Sequence, residues 1–126
     1  MAEYLVAPLE EPDWVLEVDD FAEALQSRWP GARVGRGSVE GSTMAFEALI
    51  SLEPAPRELG VALSGTRQAV SLDPADAEAA AEFAQWMASS VLPGAGLHLI
   101  EPGSYRTVEL SADISVGQIL AALRAE

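Results

Sequence analysis

Asp73 to Leu92, DPADAEAAAEFAQWMASSVL, is the stretch that most limits the folds open to this chain, because it has the longest helical periodicity and runs of strand character flank it directly. Asp73 reads as the N-cap, Pro74 as the first helical position, and Asp76 as a carboxylate near the positive end of the helix dipole. Steps of about 100° per residue put Ala80, Phe83, Ala84, Met87 and Val91 on one face, and Glu78, Glu82, Gln85 and Ser89 on the opposite face. Trp86 falls beside Glu82 and Gln85. Its ring reads as a boundary residue lying over neighbouring loops, with the anchoring of a partner as the competing reading.

Before this helix the chain alternates. Met44, Phe46, Ala48, Ile50 and Leu52 alternate with Ala45, Glu47, Leu49 and Ser51, which predicts a strand over Thr43–Leu52 with its Met44 face in the core. Residues 58–64 and 67–72 predict a hairpin about Gly65-Thr66, with Leu59, Val61, Leu63, Val70 and Leu72 pointing inward, and Glu53–Arg57 joins it stiffly to the preceding strand through two prolines. After the helix, Pro93-Gly94-Ala95-Gly96 forms a stop, and Leu97–Ile100 and Tyr105–Leu110 flank Pro102-Gly103 as a second hairpin. Ser115 and Gln118 then make a capping box for a last helix, with Ile114 and Ile119 as its hydrophobic staple and Val116, Ile119, Leu120 and Leu123 on its buried face.

At the other end, Tyr4–Ala7 reads as an edge strand stopped by Pro8, and Trp14–Val18 as a short extended segment. Asp20 and Glu23 have the spacing of a capping box for a helix of about ten residues ending at Pro30-Gly31. Residues 32–40 form a further extended run in which Gly35 and Gly37 mark a bend or bulge. The expected architecture is therefore α+β: a mostly antiparallel sheet of about five to six strands, with three helices packed chiefly on one face. Residues 1–126 form one domain, with residues 1–18 as an acidic N-terminal strand or arm.

The chain has 20 acids against 7 bases, a formal charge of −13, and every base is an arginine. Residues 1–27 contain no base at all, while Glu3, Glu10, Glu11, Asp13, Glu17, Asp19, Asp20 and Glu23 crowd into them. Direct contact with nucleic-acid phosphates is disfavoured, and a basic partner is permitted. The N-terminus lacks a signal pattern and no apolar run approaches the roughly 18 residues of a membrane span, so a cytoplasmic protein without membrane contact is expected.

The absence of cysteine excludes disulfides and thiol chemistry, and the absence of lysine excludes a Walker loop and Schiff bases. His98, the only histidine, lies in a predicted strand and reads as an ordinary strand residue. The glycines from Gly35 to Gly41 have the wrong spacing for a dinucleotide loop and lead into a strand. Glu17, Asp19 and Asp20 form the one tight acidic cluster near an element boundary, and starting the first helix explains two of them. No catalytic residue, metal site or cofactor is assigned.

The order helix, antiparallel meander, long helix, hairpin, helix over residues 19–126, in a small acidic protein, resembles the class I chaperones of type III secretion. That resemblance implies a non-catalytic protein that forms a homodimer and holds a client segment on apolar patches. The acidic N-terminal segment with Trp14 and an extra meander strand depart from it. The leading expectation is a non-enzymatic protein-binding module, chaperone-like or an immunity-type inhibitor, that engages a protein of basic character through Trp86, Glu78, Glu82 and Trp14. The alternatives are a carboxylate-based enzyme or ligand-binding site near Glu47, Glu109 or the Glu17–Asp20 cluster, and a structural oligomerisation module.

Overall fold

The computed structural model describes residues 2–10, 13–36, 44–52, 57–64, 67–103 and 106–124. Seven strands form one sheet: β1 (Ala2–Pro8), β2 (Arg33–Arg36), β3 (Met44–Leu52), β4 (Arg57–Ser64), β5 (Val70–Ala75), β6 (Leu97–Glu101) and β7 (Arg106–Glu109). The helices are α1 (Val18–Arg28), α2 (Ala77–Trp86) and α3 (Val116–Arg124), and α2 continues into a π-helical turn over Met87–Val91. The strand order is β2-β3-β4-β5-β1-β6-β7, with every neighbouring pair antiparallel. The α+β class is as the sequence predicts, with one strand more than the upper expectation.

The alternating patterns translate directly into a covered and an open face. Phe46, Ala48 and Ile50 of β3, Leu59, Val61 and Leu63 of β4, Val70 and Leu72 of β5, and Leu97 and Leu99 of β6 are buried beneath the helices. On the open face Leu5, Leu49 and Ile100 are half-buried among the exposed Glu47, Ser51, Glu58 and Glu109. The α3 capping box forms as predicted: the Gln118 amide donates to Ser115 Oγ at 3.1 Å and the Ser115 amide to Gln118 Oε1 at 2.9 Å. Residues 37–43, the proline-rich 53–56 and the Gly65-Thr66 turn lie outside the described residues.

Three boundaries differ from expectation for identifiable reasons. First, β1 is no edge strand, because it pairs with β5 on one side and β6 on the other. Pro8 is compatible with that interior place because it is the last residue of the strand. Second, α2 does not begin at Asp73. The backbone stays extended through Ala75, and Asp76 is the N-cap, its side chain accepting from the Ala79 amide at 2.8 Å. Between the Tyr4–Leu72 and Ala2–Ala75 pairs the register shifts, so Asp73-Pro74 occupies a bulge, one of the few places where a strand tolerates a missing N–H. Third, α1 starts at Val18 behind Glu17, which makes no side-chain cap, so the Asp20–Glu23 capping box does not form; Asp19 and Asp20 instead sit in the first turn, where the dipole favours them. Residues 14–17, expected to be extended, belong to no strand, although Leu16 is buried in the core.

Helix α2 buries more than one stripe. Ala79, Ala80, Ala81, Phe83, Ala84 and Trp86 are all buried, because α3 packs along the helix and the aromatic residues of α1 meet Phe83 and Trp86. Small alanine side chains let those neighbours approach closely. The Asp76 cap generates a test: Asp76→Ala is expected to lower unfolding stability by about 1 kcal/mol, whereas Asp73→Ala, exposed in the bulge, should change it by less than about 0.5 kcal/mol. Urea denaturation of both variants measures the difference, and a larger loss at Asp73 would contradict this placement of the helix start.

Candidate functional site

Between β1 and α1, the described residues Leu9-Glu10 and Asp13–Glu17 form an arm on which Leu9, Glu10, Asp13, Val15 and Glu17 are exposed. Two hydrogen bonds hold it to the β4–β5 turn: the Leu16 amide donates to the Arg67 carbonyl at 2.8 Å, and Gln68 Nε2 donates to the Trp14 carbonyl at 3.0 Å. Arg67 adopts a φ of 60°, a left-handed conformation uncommon for a residue with a side chain, and its carbonyl is one of the anchors of the arm. The Leu16 side chain, 7% exposed, is the apolar anchor between these contacts.

Pinned in this way, the arm separates two clefts. One, of about 480 Å³, lies between Leu9, Glu10, Asp13 and Trp14 on the arm and Gly94–Gly96 and His98 across from them. The other, of about 330 Å³, lies between Val15 and Glu17 on the arm, Asp20 and Ala24 of α1, and Ser90 and Val91 of the π-helical turn. Leu9 at 62% and Val15 at 47% are the strongly exposed large apolar side chains among the described residues, and each lines one of the two clefts. Glu10, Asp13, Glu17, Asp19, Asp20 and Glu23 are exposed around them.

The wall opposite the arm comes from a distant part of the sequence. Gly94 and Gly96 adopt φ of 71° and 72°, the left-handed conformation that glycine enters without strain, and they turn the chain from α2 into β6. The Nδ1–H of His98 donates to the Gly96 carbonyl at 3.1 Å, which leaves Nε2 of the neutral ring as an acceptor. The pairing of Ala7 with His98 brings this wall beside the start of the arm.

Of the residues singled out in the sequence, Trp14 is half-buried and lines the larger cleft. Trp86 is 7% exposed and belongs to an aromatic cluster, with ring centroids 5.2 Å from Trp29, 5.4 Å from Phe83 and 6.2 Å from Phe21. Its ring is therefore covered by the core aromatics, in place of the boundary position over loops and against the competing reading of an exposed anchor. Glu78 and Glu82 are exposed on α2, outside both clefts. The pockets flanking the arm depend on Leu9, Val15 and the Gly94–His98 wall, none of which the sequence reading selected as site residues. The apolar side chains of Leu9 and Val15 among Glu10, Asp13 and Glu17 are the local sequence signal that could have marked the arm.

Of the three places named for a carboxylate site, only the Glu17–Asp20 cluster borders a cleft, where Glu17 and Asp20 line the smaller one. Glu47 and Glu109 lie exposed on β3 and β7, with four strands between them, and Glu17, Asp19 and Asp20 are exposed around the start of α1. Among the described residues no group of three or more His, Asp or Glu side chains is placed to hold a metal ion, and no helix is long and apolar enough to cross a membrane.

Tyr4, 4% exposed, is the group whose ionisation is most clearly perturbed. Burial, followed by the charge of Glu101, its hydrogen bond with Glu101, and the charge of Asp76, raises its pKa above the ordinary phenol range. The neutral phenol is thus favoured in the folded state. Its stabilising contribution is fully present below the unfolded value of about 10 and is lost as pH rises through the higher folded value. Because the chain has neither lysine nor cysteine, few side chains compete in that range. Stability should fall on alkaline titration above about pH 10. Tyr4→Phe should cost about 1–2 kcal/mol at neutral pH and flatten the alkaline fall, as read by urea melts at stepped pH; an unchanged alkaline limb would show that Tyr4 does not govern it.

Comparison of the chain with protein-family models, with curated proteins and with solved structures found no match.

Proposed function

We propose that this protein is a non-enzymatic binding module that engages a partner protein of basic character through the arm at residues 9–17 and the adjoining start of α1. The observation that carries this reading is the coincidence of Leu9 and Val15, strongly exposed, with an arm that bears Glu10, Asp13 and Glu17. Apolar side chains surrounded by charge of one sign suit an interface with a small desolvated centre and an electrostatic rim. The tethering of the arm by Leu16 and Trp14 supports recognition by a largely preformed surface, which lowers the ordering cost of association.

Chaperone-like and inhibitor-like versions of this reading differ in assembly. A chaperone-like protein is a homodimer that holds an extended client on apolar surface. An immunity-type inhibitor forms a discrete complex with a basic toxin, and its association rate falls as salt rises. Sedimentation of the free protein, together with the identity of neighbouring genes, separates the two.

The reading is tested by affinity capture from native cell extract with the wild-type chain and with the double variant Leu9→Ser, Val15→Ser. Partners retained by the wild type should be lost from the variant, and should dissociate as ionic strength rises past the point where the Debye length is about 8 Å. Both substitutions replace exposed side chains and should leave folding intact by circular dichroism. Capture that is indifferent to both the substitutions and salt would refute the arm as the binding surface.

A further inference from the structure

We infer that the larger cleft, between the arm and the Gly94–His98 wall, receives one guanidinium or ammonium side chain of the partner. This deepens the binding reading above and rests on it for the identity of the ligand as a protein side chain. The cleft volume of about 480 Å³ lies within the range of sites that enclose a small ligand group, about 300–1,000 Å³. Its lining divides by chemistry. Pro8, Leu9 and Trp14 are apolar surfaces suited to the methylene stem of an arginine or lysine, while Glu10 and Asp13 offer carboxylates to its charged end.

The remaining features of the cleft favour the same occupant. Trp14 and His98 also line the cleft, an aromatic ring being a surface on which a cation can rest, and the His98 Nδ1–H is committed to the Gly96 carbonyl. No arginine lines the cleft, and no base occurs in the sequence before Arg28. An anionic group would therefore meet two carboxylates and no arginine among the residues lining the cleft, and a purely apolar group would strip water from the carboxylates without replacing their hydrogen bonds. Gly94 and Gly96 line the cleft with backbone that has open space beside it.

The test uses the full chain, labelled with ¹⁵N and followed by NMR during titration with the peptide acetyl-Gly-Arg-Gly-amide, in parallel with the same peptide carrying citrulline, which keeps the shape of arginine and removes its charge. The expected result is saturable movement of the Gly94 and Gly96 amides and the Trp14 indole N–H with arginine, and little movement with citrulline. Glu10→Gln with Asp13→Gln changes two exposed side chains and should weaken arginine binding by about fivefold, whereas Glu78→Gln with Glu82→Gln, an equal change of charge on α2, should leave it unaltered. Equal responses to arginine and citrulline, unsaturated shifts spread over the whole acidic surface, or equal weakening by both charge pairs would each overturn the assignment. A negative titration alongside arm-dependent capture of a partner removes this inference alone. A saturable arginine site without arm-dependent capture removes the protein-partner reading and leaves a site for a free cationic ligand.

Discussion

The contact on which the rest of the structure depends is the aromatic cluster between α1, α2 and β3. Phe21 meets Phe46 edge-on at 5.5 Å, Trp29 stacks on Phe83 at 5.9 Å, and Trp86 closes the group between them. Large rings bury much apolar area with few torsions, so one small group fixes two helices on the sheet. With no cysteine in the chain, such packing does the work that a disulfide performs in other small domains. It also sets the position of α1, and through α1 the outer end of the acidic arm. Trp86 is unavailable to a partner because this cluster requires it.

The second constraint is the insertion of β1 into the middle of the sheet. Residues 2–8 meet residues 70–75 on one side and 97–101 on the other, so the first strand completes the sheet only after both halves of the chain are available. The arm therefore leaves from the sheet interior at Pro8 and must reach α1 by crossing the end of the β4–β5 turn. It is held at both ends and at Leu16, which distinguishes it from a frayed N-terminus. The same pairing carries His98 and the Gly94–Gly96 turn to the side of the arm. The larger cleft is thus a product of strand order.

This history explains what could be read from the sequence. Where a signal is local and periodic, as in Phe46–Ile50, Leu59–Leu63 or the Ser115–Gln118 box, the observed element follows it closely. The strand from Tyr4 was visible as a strand, but its neighbours were not, because pairing across some 70–95 residues leaves no trace in a short window. The local signal puts the helix start at Asp73-Pro74, whereas the bulge opposite Ala2–Tyr4 keeps those residues in the strand and leaves Asp76 as the N-cap. The acidity of residues 9–20 and the presence of Trp14 were legible, whereas the wall that makes a cleft of them comes from residues 94–98. A helical wheel with one buried face puts Trp86 at the boundary, while α2 is covered by the sheet, α3 and the rings of α1 at once and the ring is buried.

Charge is distributed along α1 in a way that sharpens the electrostatic role of the arm. Its first turn carries Asp19 and Asp20, its last turn Arg28, and Arg28 lies over the Trp29 ring at 4.7 Å. Arg33 follows on β2 and forms an exposed ion pair with Glu58 at 3.7 Å, a contact of the kind that adds little to stability. Eleven helical residues span about 16 Å, roughly two Debye lengths at physiological ionic strength. Arg28 thus lies about two Debye lengths from the start of α1, while Arg67, whose carbonyl accepts from the Leu16 amide, is the arginine beside the arm. The exposed Leu9 and Val15 lie among Glu10, Asp13 and Glu17. The net charge of the chain understates this asymmetry, because the two ends of α1 carry opposite local sign.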